Sequence, residues 1–227
     1  MISVVGYGSL LSESSARQTV PGLENFRLVR VPGYRRIFNK VGIVFLSRHG
    51  ADPDSLQLAS CSTQAMAGCE IICSQFECSP EEFVELYERE HRFRWIEVET
   101  TPLDGAQLSN SNKPSDTSPD TPSLGRMCTG YDDIEYRLNK CVTPQEYELR
   151  VGRYYSGPIW RDDILPFPRY LAFCLQAVAS QGSVVLDNFL DSSFLADGKT
   201  TIRTYLAQTP ELRNWRTFDT GYRYRAD

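Results

Sequence analysis

The sequence predicts an α+β domain in which the first half of the chain builds an antiparallel-leaning sheet and the last third supplies helices that cover it. Three observations carry this expectation. Up to about residue 76, β-branched and aromatic residues alternate or run together between Gly and Pro breaks, and from Pro168 onward apolar residues recur at helical spacing. The length of 227 residues with 41% hydrophobic content suits one sizeable core, so residues 1–227 are read as a single domain.

The elements follow in chain order. Residues 2–5 form a β-branched run that ends in Gly6-Tyr7-Gly8-Ser9-Leu10-Leu11, a buried strand breaking into a tight glycine loop. A short helix is expected over 12–19. Residues 26–31 and 34–38 read as two strands joined by a Pro32-Gly33 turn, residues 41–46 as another, and residues 58–76 as strands of the same sheet around Gly68. Ser79-Pro80-Glu81-Glu82 combines an N-cap, a proline at the first helical position and a Glu three residues after the cap, which starts a helix expected to reach Arg92. Residues 94–99 alternate as a strand.

Residues 102–126 are rich in Ser, Asp, Asn, Thr and Pro with almost no large apolar side chain, so burial cannot offset their ordering entropy. They are expected to be a mobile insertion inside the domain, near the rim of the site. Residues 127–134 read as a strand and Thr143-Pro144-Gln145-Glu146 as a helix or turn start. Helices are expected over 168–180, 184–195 and 200–207, separated by Gly182 and Asp197-Gly198. Trp215, Arg216, Tyr222, Arg223, Tyr224 and Arg225 form a basic aromatic tail suited to packing across the domain.

Charge narrows the function. With 24 Lys+Arg against 29 Asp+Glu the net charge is -5, and no basic block occurs, so the electrostatic footprint of nucleic-acid binding is missing. The two histidines, His49 and His91, lie outside metal-ligand spacing of each other and of any Cys pair. Seven irregularly spaced cysteines without a C-x-x-C pair fit a reducing compartment. No signal sequence, Asn-x-Ser/Thr acceptor or run approaching ~20 apolar residues is visible, so the expectation is a cytoplasmic protein without membrane contact.

Two features can carry chemistry. On the helix that starts at Ser79, Phe83, Leu86 and Tyr87 define an apolar stripe, and at about 100° per residue Glu90 falls within roughly 20° of Phe83. Glu81, Glu82, Glu85 and Glu88 fall on the opposite half. A carboxylate on a core-facing stripe is either paired, here with Arg89, Arg92 or Arg94, or desolvated and suited to general-base work. The second feature is the loop after the first strand, where successive backbone N–H groups at a glycine pair can hold a carboxylate or an oxyanion. It lacks the third glycine of a dinucleotide fingerprint.

The two features coincide in one resemblance. Val4-Val5-Gly6-Tyr7-Gly8-Ser9-Leu10 resembles the Tyr-Gly-Ser-Leu/Asn loop that ends the first strand in the γ-glutamylcyclotransferase-like family. Gly33-Tyr34-Arg35-Arg36-Ile37-Phe38 is similar to the Gly-Tyr-x-Arg-x-Phe segment of its glutathione-specific, ChaC-like branch, and Leu86-Tyr87-Glu88-Arg89-Glu90 to the helix whose last Glu is the general base. Pro168-Arg169-Tyr170-Leu171 resembles the C-terminal Tyr-Leu helix. The match runs in order from residue 2 to about 190.

The resemblance implies a small mixed β-barrel with flanking helices and a cofactor-independent lyase. That enzyme releases 5-oxoproline from a γ-glutamyl peptide, amide or glutathione by intramolecular attack of the α-amine on the γ-carbonyl. It implies Glu90 as catalytic base and Tyr7, Gly8, Ser9, Leu10, Arg36 and Tyr170 as substrate-binding residues, with no metal. If Arg35 and Arg36 lie on a strand they alternate, so at most one points inward. Two alternatives accompany this reading: a non-catalytic small-ligand module on the same fold, and a specialised acyltransferase or hydrolase. Cys174, in an apolar helix with no histidine near it in sequence, reads as a core thiol.

Overall fold

The computed structural model describes residues 1–103 and 122–220, so most of the 102–126 insertion and the tail residues Tyr222 to Arg225 lie outside the described residues. The chain opens with β1 (Ile2–Gly6) and α1 (Glu13–Arg17), the latter capped by the Ser12 side chain accepting from the Ser15 amide. Two long strands follow, β2 (Glu24–Val41) and β3 (Gln57–Cys78), with α2 (Ile43–Arg48) between them. Next come α3 (Pro80–Arg89), β4 (Arg94–Pro102), β5 (Ser123–Thr129), α4 (Asp133–Lys140) and α5 (Pro144–Tyr147), which runs into a π-turn (Glu148–Gly152). The last third holds β6 (Leu165–Pro166), α6 (Pro168–Ala179), α7 (Ser183–Ser192), β7 (Ser193–Leu195) and α8 (Ile202–Gln208).

Strand pairing closes a barrel. β1 lies between β3, antiparallel with Ile2 opposite Cys78, and β5, parallel with Val4 opposite Arg126. β5 pairs with β4, β4 with β2, and β2 with β3, all antiparallel, so the five strands return on themselves as a mixed barrel. β6 and β7 add short parallel strands to β3 and β2. The main core fills and covers this barrel, and a smaller cluster of Val4, Ala16, Val20, Leu23, Phe76, Phe83 and Leu86 seats α1 and α3 on its wall. Among the described residues no helix is long and apolar enough to cross a membrane.

Several expectations change. Pro32-Gly33 does not join two strands; it is an irregularity inside the single strand β2, where Gly33 takes φ +77° and the register with β3 shifts between Pro32 and Tyr34. A turn dipeptide and a bulge share the same residue types, and only the unbroken partner strand tells them apart. Residues 43–48 are a helix, because a short apolar run has no decisive period and Gly42 starts the turn by accepting from the Phe45 amide. Strand β5 stops at Thr129, and Ile134 belongs to α4, whose start is a capping box between Asp132 and Glu135. The Ser79 capping box forms as expected, but α3 ends at Arg89 with Glu90 as its C-cap. Finally, Thr100 and Ser123, which flank the insertion, pair five residues along the strands from Trp95 and Cys128. At ~3.4 Å per residue this puts the flanks about 17 Å along the barrel wall from those two cavity-lining residues, while the insertion's expected place near the rim falls on residues 104–121, outside the described residues.

Candidate active site

The loop that follows β1 is shaped by what its neighbours exclude. A Cβ on Gly6 would meet the Leu10 Cβ and the Ser74 Oγ, each at 2.6 Å, so only glycine lets the chain turn there. The Ser74 hydroxyl donates to the carbonyls of Gly6 (3.2 Å) and Leu10 (2.7 Å), and the Leu11 amide donates to the Gly8 carbonyl at 3.1 Å. Ser15 Oγ donates to the Ser9 carbonyl. Among the described residues the amides of Gly8, Ser9 and Leu10 have no hydrogen-bond acceptor.

Arg36 stands behind this loop. It is completely buried and its guanidinium donates to the carbonyls of Tyr7 (2.7 Å) and Ile72, to Ser192 Oγ (3.1 Å) and to Asn188 Oδ1 (3.4 Å), with Phe189 stacked beneath it. Of the two neighbouring arginines it is the one that points inward, while Arg35 reaches Gln64 and the Gly198 carbonyl at the surface. Arg36 does not line the cavity described next. The expected substrate contact is therefore corrected to a positioning role, in which the fork of donors fixes the Tyr7 carbonyl.

A cavity of about 710 Å³ opens at one end of the barrel. Tyr7, Gly8, Ser9 and Leu10 line it from the β1 loop, Lys40 from β2, Cys61 from β3, Cys128 from β5 and Tyr170 from α6. Glu90 and Arg92 line it from the turn after α3, which closes with the Phe93 amide donating to the Glu90 carbonyl at 2.9 Å. The structure thus brings together Glu90, the four loop residues and Tyr170, which are separated by most of the chain. Tyr170 is buried, and its hydroxyl lies 3.0 Å from where a Cβ on Gly8 would sit.

Glu90 is partly exposed, at 20% of its side chain, and its Oε1 is 3.2 Å from Arg89 Nε. Its charge is felt across the cavity: it adds to the burial that pushes the hydroxyl of Tyr7 and the thiol of Cys128 well above their usual values. Lys40 is only 5% exposed, and burial first, then the charge of Arg92, pulls its ammonium down to about 7 while Glu90 opposes.

Neither Lys40 nor Arg92 stood out as a site residue. A signal for Lys40 existed in the spacing: Arg36, Phe38 and Lys40 are two residues apart in the sequence of β2 and all three are buried, although the register with β3 shifts between Phe38 and Lys40. Arg92 had none, because only the turn after α3 aims it inward. Cys174 is a buried core thiol, pushed up to about 12 by burial.

The closed mixed barrel with its flanking helices is the γ-glutamyl cyclotransferase fold. Among solved structures the chain is similar to a γ-glutamyl cyclotransferase at TM-score 0.51, with 11% identity over 82% of this chain and 83% of that one. It is similar to an uncharacterised protein from Homo sapiens at TM-score 0.50, 12% identity and the same coverage. A yeast γ-glutamyl cyclotransferase specific to glutathione aligns at TM-score 0.45, 15% identity, over 82% of this chain and 94% of that one. No family sequence model matches the chain, and no curated protein sequence matches it. At 11–12% identity the likeness establishes the fold.

Proposed function

We propose that the chain is a lyase that cyclises a γ-glutamyl amide or peptide and releases 5-oxoproline. The observation that carries this reading is the convergence of Glu90 and the acceptor-free amides of Gly8, Ser9 and Leu10 on one cavity. The fold gives the reading its context.

The α-nitrogen of a γ-glutamyl group is an ammonium near neutral pH and cannot attack until it loses a proton. Glu90 accepts that proton, and the freed nitrogen adds to the γ-carbonyl carbon to form the new C–N bond. The negative charge on the former carbonyl oxygen is met by the loop amides, which already point to no other acceptor. Collapse of the intermediate breaks the old C–N bond as Glu90 returns its proton to the departing nitrogen. The ring nitrogen sheds a second proton, which the released amine takes up, so none is consumed overall. Arg89 holds the Glu90 carboxylate in place, and confinement of both ends of the glutamyl chain favours the five-membered ring by orientation.

The test is direct measurement of 5-oxoproline from purified protein given glutathione, γ-glutamyl dipeptides and γ-glutamyl amines in parallel. Release from at least one of them supports the lyase. A second reading, a non-catalytic module for the same ligands, draws on the Arg89–Glu90 ion pair. It predicts saturable binding with no release from any of the three.

A further inference from the structure

The cavity carries an excess of positive charge that the cyclisation chemistry leaves unused. Six lysine and arginine side chains line it against two carboxylates, within a chain of net charge -5. One of the cations, Lys40, is buried, and a second, Arg92, is half-buried. The Lys40 ammonium reaches only the Val41 carbonyl oxygen, at 3.5 Å, and the face of Phe93, 4.6 Å from the ring centre. Among the described residues it has no ion pair.

Arg92 donates through one terminal nitrogen to the Arg150 carbonyl at 2.6 Å, while its Nε is buried with no acceptor. The two cations repel each other, which is why Arg92 depresses Lys40. The groups that face Lys40 are Arg92, Glu90 and Phe93 from the turn after α3 and Cys128 from β5. Glu90 is engaged by Arg89 and does not neutralise both cations. A buried ammonium beside a half-buried guanidinium with an unmet Nε donor disfavours the empty cavity, and an anion seated between them removes both penalties.

We infer that Lys40 and Arg92 together bind the α-carboxylate of the substrate's amino-acid head, with Glu90 facing the adjacent α-ammonium and the Gly8–Leu10 amides left for the γ-carbonyl oxygen. Assigning the carboxylate to a γ-glutamyl head rests on the lyase reading; the carboxylate subsite itself does not. A zwitterionic head then meets opposite charges in matching order. This division also answers how one short loop avoids serving two anions at once.

The probes are 5-oxoproline, which retains the α-carboxylate, and its uncharged carboxamide, each titrated calorimetrically. Wild-type protein binds the carboxylate at least about tenfold more tightly, the size of a charge-assisted hydrogen bond. Lys40→Met and Arg92→Met each abolish that preference and leave carboxamide binding unchanged, whereas Lys40→Arg keeps it. Binding needs the charged ammonium, and Lys40 sits at about 7 in the free protein. Affinity for 5-oxoproline therefore falls by up to about tenfold per pH unit above that value in the wild type and stays flat in Lys40→Arg.

Equal binding of the two probes by wild-type protein overturns the inference. So does a full preference in natively folded Lys40→Met, or an unchanged pH dependence in natively folded Lys40→Arg. Lysine-dependent binding of 5-oxoproline without its release from any γ-glutamyl compound refutes the lyase reading and leaves the subsite standing. Release that is indifferent to Lys40→Met does the reverse.

Discussion

The hydroxyl of Tyr170 lies 3.0 Å from the point that a Cβ on Gly8 would occupy, so a side chain on Gly8 would press on the Tyr170 hydroxyl of α6. Gly8→Ala asks the hydroxyl or the loop to give by a few tenths of an ångström, and if the loop amides serve the lyase reaction that displacement is expected to lower kcat/KM by up to about tenfold. Tyr170→Phe removes the obstructing atom. The loss caused by Gly8→Ala should therefore be smaller in the Tyr170→Phe background, a coupling that a double-mutant cycle measures. Strictly additive effects would show that the two residues do not share this contact.

Glu90→Gln keeps the shape of the side chain and removes its capacity to accept a proton. Release of 5-oxoproline is expected to drop by about a hundredfold or more, with binding of the substrate retained. Full activity in this variant would exclude Glu90 as the base. Asp at the same position retracts the carboxylate by one methylene and should leave a small residual rate.

Arg36 is a structural residue whose loss leaves the Tyr7 and Ile72 carbonyls without their donors. Arg36→Met fills a similar volume, and urea unfolding is expected to reveal a destabilisation on the order of 3 kcal/mol. Arg36→Lys should not restore it, because a single ammonium cannot reproduce donors aimed at Tyr7, Ile72 and Ser192 at once. Wild-type stability in Arg36→Lys would mean that charge alone matters at this position.

His91 is buried against Tyr136, with its Nδ1 3.3 Å from the phenol oxygen, and burial followed by the charges of Arg150 and Lys140 pulls it down to about 4. Its ordinary value is near 6.5. Between those values the unfolded chain binds a proton that the folded chain refuses, so stability falls as pH drops from 6.5 toward 4. In His91→Gln the proton uptake on unfolding over that interval should fall by about one. An unchanged uptake would place His91 in contact with water.

Some of this architecture is legible in the residues because the signal is local. Ser79 and Glu82 announce α3 through a capping box, the glycines at 6 and 8 announce a turn that no side chain could enter, and the apolar helix at Tyr170 declares itself by period. Glu90 was reachable by helical spacing even though the helix stops one residue short of it, since its amide still donates to Leu86. What resisted is non-local. The continuity of β2 through Pro32 and Gly33 depends on β3 running past it, and α2 is set by packing around Phe45, which stacks on Phe167. Arg36 looked like a substrate ligand because a motif gives a residue's identity and not the carbonyls waiting behind it.

The antiparallel pairing of β4 and β5 persists to Thr100 and Ser123, whose hydroxyls lie 2.8 Å apart and share the Gln75 side-chain oxygen. The two chain ends leading to residues 104–121 are therefore held together by the barrel wall. Closing a connection between fixed ends costs only ~0.6 kcal/mol for each doubling of its length. That makes this junction a natural graft point, where a tag or a fluorescent reporter can be spliced in without disturbing the chemistry at the opposite end of the strands.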